Sequence, residues 1–157
     1  MDWIHQLAPA TALDDLAPAP RRLANVLELT ELILPQQANH YGTLFGPNAL
    51  ALLGKAAFLV AARYTRQPVV MAAAREIEFV APVPVGALLV VRARVTRVGR
   101  TSMTVQVAAA FDTAPGIRAD DVLRGDFEMV AVDDLGRPTP VRAAGGVAVD
   151  AVAAPAA

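Results

Sequence analysis

The 157-residue chain has no cysteine and only two histidines, His5 and His40. The first absence excludes a disulfide framework and a thiolate metal site. The second leaves a zinc centre almost no ligands, so a metal-free protein with no need of an oxidising compartment is expected. An excess of either charge is missing too. Fourteen Lys and Arg stand against fifteen Asp and Glu, for a formal net charge of -1, which leaves no electrostatic footprint for nucleic acid or an anionic membrane. No long hydrophobic run is present: the longest, residues 49–62, is interrupted by Gly54 and Lys55 and falls short of the ~20 residues a membrane span requires. The first twenty-odd residues lack the basic start and apolar centre of a signal peptide, so a cytoplasmic location is expected. Gly-x-Ser-x-Gly elbows, His-Glu-x-x-His helices and Gly-x-Gly-x-x-Gly turns are also missing, and "LGKAA" lacks the spacing of a phosphate loop.

What is present is largely apolar. Hydrophobic residues make up 55% of the chain, enough for one compact domain with a sizeable core. Residues 1–23, rich in Ala, Pro and charge, read as a loosely ordered segment with a short helix near Trp3. Residues 141–157 read as a disordered tail, leaving the domain to 24–140. "NVLELTELIL" (25–34) reads as a strand of imperfect alternation, stopped by Pro35. Pro47 suits the first turn of a helix, where a missing N–H has no partner to lose, and the residues after it favour a helix from about 47 to 65. Asn48, Lys55 and Arg66 share one narrow stripe of that helix. Nearly everything else on it is Ala, Leu, Val, Phe or Gly, which predicts a rod wrapped almost all round by other structure. Four strand candidates follow, at 69–80, 86–99, 101–111 and 121–133, with a tight turn at Gly99 and Arg100. The connections after the helix are too short for parallel crossovers. The expected fold is therefore α+β, an antiparallel sheet of about five strands curled around one long central helix.

The turn "PQQANHYGTLFG", the helix "NALALLGKAAFLVAAR", and the segments "VVMAAAREIEFVAPVPVG" and "VTRVGRTSMTV", taken in that order, resemble the acyl-CoA hydrolase branch of the hotdog-fold thioesterases. The resemblance covers about Leu27 to Pro140. It implies a hotdog fold, hydrolysis of acyl-CoA to free acid and CoA, and cytoplasmic homodimers that often assemble into hexamers as trimers of dimers, with the site between two subunits. CoA is then part of the substrate, and no separate cofactor or metal is implied. By the same resemblance Asn39 helps bind the water or the thioester, Gly42 and Gly46 are turn glycines, and the N–H at the start of the helix is the oxyanion donor. Pro47 replaces the second glycine of the usual pair. Gly86 matches the glycine of the "PVPVG" turn, while Arg100, Thr101 and Ser102 match a segment near the CoA.

The resemblance also exposes departures. Gly54 stands where many members have the catalytic Asp, Met71 where Thr is common, and Ala87 where Asp often follows the turn glycine. Hydrolysing a thioester needs an activated water and a place for the developing oxyanion. Candidate replacements for the missing base are His40, Glu76 and Glu78. His40 is favoured, because an imidazole can serve as a base near neutral pH, against the plainer reading of a solvated turn histidine. Asn39 likewise has a structural reading, as a turn residue whose amide bonds the backbone. A glycine at position 54 would let the sheet or an acyl chain approach the helix backbone. Lys55 either contacts a phosphate or extends a buried stem to solvent. The expected function is an acyl-CoA thioesterase with an atypical site. The alternatives are an acyl-CoA-binding or regulatory protein, or a partner subunit of an active paralogue.

Overall fold

The computed structural model describes residues 24–114, 117–118 and 121–143. The helix expected near Trp3 and most of the C-terminal tail lie outside these residues. The chain runs through β1 (Val26–Leu32), a 3-10 turn (Pro35–Gln37), α1 (Gly46–Thr65), β2 (Val69–Phe79), β3 (Leu88–Val98), β4 (Ser102–Ala114), a two-residue β5 (Ile117–Arg118) and β6 (Leu123–Ala131). Five strands form one antiparallel sheet in the order β1-β3-β4-β6-β2, with β5 paired to β4. Among the described residues one long helix, α1, packs on one face of it, as the α+β reading expects.

Local chemistry sets the helix ends. Pro47 lies in the first turn, where a missing N–H costs nothing. At the other end Arg66 adopts a left-handed conformation (φ 53°) and its N–H bonds the Ala62 carbonyl at 2.8 Å. Pro68 then forbids continuation. Between these ends Ala49, Ala56, Ala57 and Ala61 are buried, so the backbone of α1 approaches the sheet closely. Leu53 and Val60 fill the space against Leu89, Val91 and Val95 of β3, Met103 and Val105 of β4, and Phe127 and Met129 of β6. Leu53 is wholly buried, a contribution of roughly 1.5–3 kcal/mol relative to exposure. The strands alternate as a half-buried sheet requires: in β3, Val91, Ala93 and Val95 are buried where Arg92 and Arg94 are exposed.

One expectation needs correction. The sheet wraps only one side of the helix, so Leu50, Phe58 and Leu59 remain 38%, 46% and 41% exposed. One antiparallel layer of this width covers one face of a cylinder, and the opposite stripe stays apolar and open. In β2 a register shift between Arg75 and Glu78 interrupts the pairing with β6, with Glu76 at φ 50°. The bulge keeps Glu78 on the outer face, where its carboxylate accepts from Arg124 Nε at 2.9 Å. Ile77 is turned towards Gly125, whose lack of a side chain makes the room it occupies. A similar shift between Val95 and Arg97 interrupts β3 beyond Val95, leaving Thr96 half-buried.

Candidate active site

The segment before α1 folds upon itself. Asn39 N–H donates to the Thr43 carbonyl (2.8 Å) and Gly42 N–H to the Asn39 carbonyl (3.1 Å). The Asn39 side chain works within the same turn: Oδ1 accepts from the N–H of Tyr41 (2.9 Å) and of Thr43 (3.2 Å) and from the Thr43 hydroxyl (3.2 Å), while Nδ2 donates to Thr43 Oγ1 (3.1 Å). Asparagine does this readily because its amide mimics a peptide group. The oxygen is thereby fully engaged, and Nδ2 keeps one hydrogen for another partner. Gly42 carries φ 75°, which a side chain rarely tolerates. Its carbonyl accepts from Val85 N–H (3.1 Å), and Gly86 N–H donates to the Ile33 carbonyl (2.7 Å). Asn39, His40, Gly42, Gly46 and Gly86 thus gather at one end of the sheet.

The start of α1 is anchored through the 3-10 turn. Phe45 N–H (2.9 Å) and Asn48 Nδ2 (3.1 Å) both donate to the Gln37 carbonyl. Phe45, the N-cap residue, offers no side-chain acceptor, and Pro47 has no N–H to satisfy. Among the described residues no acceptor takes the N–H of Gly46 or of Asn48. Two amide donors at the positive end of a 20-residue helix therefore point outward unpaired. Such an end stabilises an oxyanion as it develops on a carbonyl. The sequence points to Gly46, and places Asn48 only on a polar stripe of the helix. Its role in holding the helix to the turn depends on a residue eleven positions away, which no local pattern reveals.

The remaining predicted residues divide. His40 is exposed, its ring tilted by 40° against that of Tyr41 with centroids 3.9 Å apart. Gly54 is buried, and a Cβ built on it would lie 2.9 Å from Met71 Cε and 3.9 Å from the Phe127 ring. Lys55 extends to solvent with Nζ 3.0 Å from Glu31 Oε1. Arg100, Thr101 and Ser102 form the β3–β4 turn, closed by Gly99 N–H to the Ser102 carbonyl (2.8 Å). They sit at the opposite end of β3 from Gly86, and an 11-residue strand spans about 35 Å. One chain does not bring them to Asn39. Glu76 and Glu78 face away from the helix, along a groove of about 580 Å³ on the outer side of the sheet that Arg92, Arg94, Gln106 and Arg124 also line. There the Asp126 carboxyl is pushed above its ordinary range, first by burial and then by the nearby Glu76, against the bond from Gln106. Among the described residues no group of three or more His, Asp or Glu could hold a metal ion, and no helix is long and apolar enough to cross a membrane.

Comparison with known proteins gives this geometry a context. The sequence profile of the thioesterase superfamily matches residues 41–132. A protein of Zymomonas mobilis named as an acyl-CoA thioester hydrolase is 35% identical over 137 residues, covering 87% of this chain and 89% of its own. Among solved structures, an acyl-CoA hydrolase from Staphylococcus aureus in complex with butyryl coenzyme A and coenzyme A superposes with a TM-score of 0.71 at 28% identity. The match covers 75% of this chain and 72% of that one. A hexameric acyl-CoA thioesterase gives 0.71 at 34% identity, covering 75% and 76%. Alanine variants of the S. aureus enzyme have been solved at an asparagine, an aspartate and a threonine. The intervals between those three positions equal the intervals from Asn39 to Gly54 and from Gly54 to Met71.

Proposed function

Because this chain belongs to the thioesterase superfamily, we propose that it hydrolyses acyl-CoA thioesters to a free acid and CoA at a site built on the amino end of α1. The observation that carries the reading is the pair of unpaired N–H groups on Gly46 and Asn48, held in place by the Gln37 carbonyl. The thioester carbonyl accepts from these donors, and the Asn39 Nδ2 hydrogen left over from the turn orients the attacking water or the carbonyl. Water oxygen adds to the carbonyl carbon, the carbon–sulfur bond breaks, and the proton lost by the water ends on the departing CoA sulfur. His40 is the base assigned to that proton. It lies beside Asn39, and its exposed ring is accessible.

A second copy completes the site. Among the described residues no strand lies beside the outer edge of β2, and Leu50, Phe58 and Leu59 form an exposed apolar stripe. An uncovered stripe and an unpaired edge on one protomer are what a symmetric dimer would bury. In such a dimer Gly42, Gly54 and Gly86 shape the acyl-CoA cleft, and Arg100, Thr101 and Ser102 of the partner are the part that could approach the CoA. The likeness to hexameric thioesterases supports further assembly into a trimer of dimers.

A second reading has its own observation. Gly54 and Met71 stand at the intervals of the aspartate and threonine altered in the S. aureus variants, and neither side chain can take a proton. That favours a protein that binds acyl-CoA while turning it over slowly, alone or beside an active paralogue. Purified protein with a panel of acyl-CoAs and a thiol reagent separates the two. Turnover lost in Asn39→Ala supports the enzyme, whereas tight binding without CoA release supports the binder. No binding and no release with any acyl-CoA would dismiss both.

A further inference from the structure

A second cavity, of about 270 Å³, opens beside the amino end of α1. Its walls are Leu44, Ala49, Phe79, Val80, Val83 and Leu123, with no charged side chain on any of them. Leu44 and Ala49 flank Gly46 in the chain, and the tip of the Phe79 ring lies 3.9 Å from the place of a Gly46 Cβ. The cavity therefore opens next to Gly46, the first residue of α1. Its floor is made by buried Val83, Ala49 and Leu123, while Phe79 and Val80, both more than half exposed, form the mouth.

We infer that this cavity receives the acyl tail of the substrate and makes the protein selective for short to medium chains; the inference rests on the thioesterase reading above. Apolar walls bind apolar chains because the water they displace gains freedom elsewhere. The groove on the outer face, lined by Arg92, Arg94, Glu78 and Asp126, offers an acyl tail no such exchange. Size sets the limit. A cavity of about 150 Å³ holds one benzene molecule, so 270 Å³ takes a chain on the order of ten carbons or fewer. Longer tails would have to leave through the mouth past Phe79. Ala49 sets the depth from the helix side and Phe79 sets the width at the entrance.

The test compares acyl-CoAs from acetyl to palmitoyl on the wild type and two variants, reading kcat/KM where there is turnover and the dissociation constant where there is none. The wild type should favour chains near octanoyl over palmitoyl. Ala49→Leu fills the cavity and should lower the ratio of octanoyl to butyryl by about tenfold or more, the usual worth of a methylene in a tight pocket. Phe79→Ala widens the exposed mouth and should raise the ratio of palmitoyl to octanoyl by a similar factor. Should Ala49→Leu fail to fold, Phe79→Ala alone decides, since that side chain is largely outside the core. A chain-length profile unmoved by Phe79→Ala, or a wild type that favours palmitoyl, overturns the assignment while leaving the thioesterase reading intact. Absence of both turnover and binding with every acyl-CoA removes the two together.

Discussion

A Cβ placed on Gly54 would stand 2.9 Å from the terminal methyl of Met71, so the side chain of one residue occupies the space the other has given up. The two positions lie on different elements, α1 and β2. A carboxylate at 54 and the present Met71 rotamer cannot coexist. Met71 is 45% exposed, and its flexible chain can swing clear at modest cost.

That relationship predicts a paired rescue. Gly54→Asp with Met71→Thr should raise turnover of a good acyl-CoA substrate by about 10²–10⁴, the usual worth of a general base. Gly54→Asp alone should fall short of the pair, because Met71 must first be displaced. Release of CoA thiol under saturating substrate measures both. Equal rates in the single and double variants would show that Met71 does not obstruct the position.

Lys55 and Glu31 form an exposed ion pair at 3.0 Å. Such pairs contribute about 0–1 kcal/mol, so Lys55→Ala and Glu31→Ala should each lower stability by that much or less in denaturant titration. Because Nζ is engaged with Glu31, KM for acyl-CoA should stay within about twofold of wild type. A tenfold rise confined to Lys55→Ala would instead return this lysine to the phosphate of CoA.

Asp126 binds its proton more tightly in the folded chain than an ordinary carboxylate does, through burial first and then through Glu76. A folded-state pKa above the unfolded one means the folded state holds more protons between the two values. Stability therefore falls as pH rises through that interval and stays lower above it. Asp126→Asn keeps an acceptor for Gln106 and removes the charge. The variant should be the more stable of the two at neutral pH, and the difference should vanish as pH falls below about 3.8. Thermal unfolding across the acid range checks it, and a difference that grows on acidification would contradict the assignment.

Phe58 is nearly half exposed on the open stripe of α1. If that stripe is buried by a second copy, Phe58→Glu should shift light-scattering mass from the dimer or hexamer to the monomer at micromolar protein. The monomer should retain its helix content, since the side chain takes little part in the core. Hydrolysis should fall with assembly. An unchanged mass would place the contact elsewhere.

Periodicity and turn chemistry made most of the fold legible. Alternating Val and Arg in β3, Pro47 opening a run of Ala and Leu, and Pro35 as a stop are local rules, and each acts within a few residues. The turn at Asn39 was legible in the same way, because an Asx turn needs only its own neighbours. The residues also determined that position 54 offers no titratable side chain, since a glycine carries none in any fold. What sequence could not supply were relationships between distant segments: the bond from Asn48 to the Gln37 carbonyl, the seat of Met71 on Gly54, the bulge at Glu76 that Gly125 accommodates, and the separation of Arg100 from Asn39 within one chain. These depend on how far apart a helix and a sheet settle once their side chains interdigitate. Packing is a property of pairs of surfaces, so only the tertiary structure decided it.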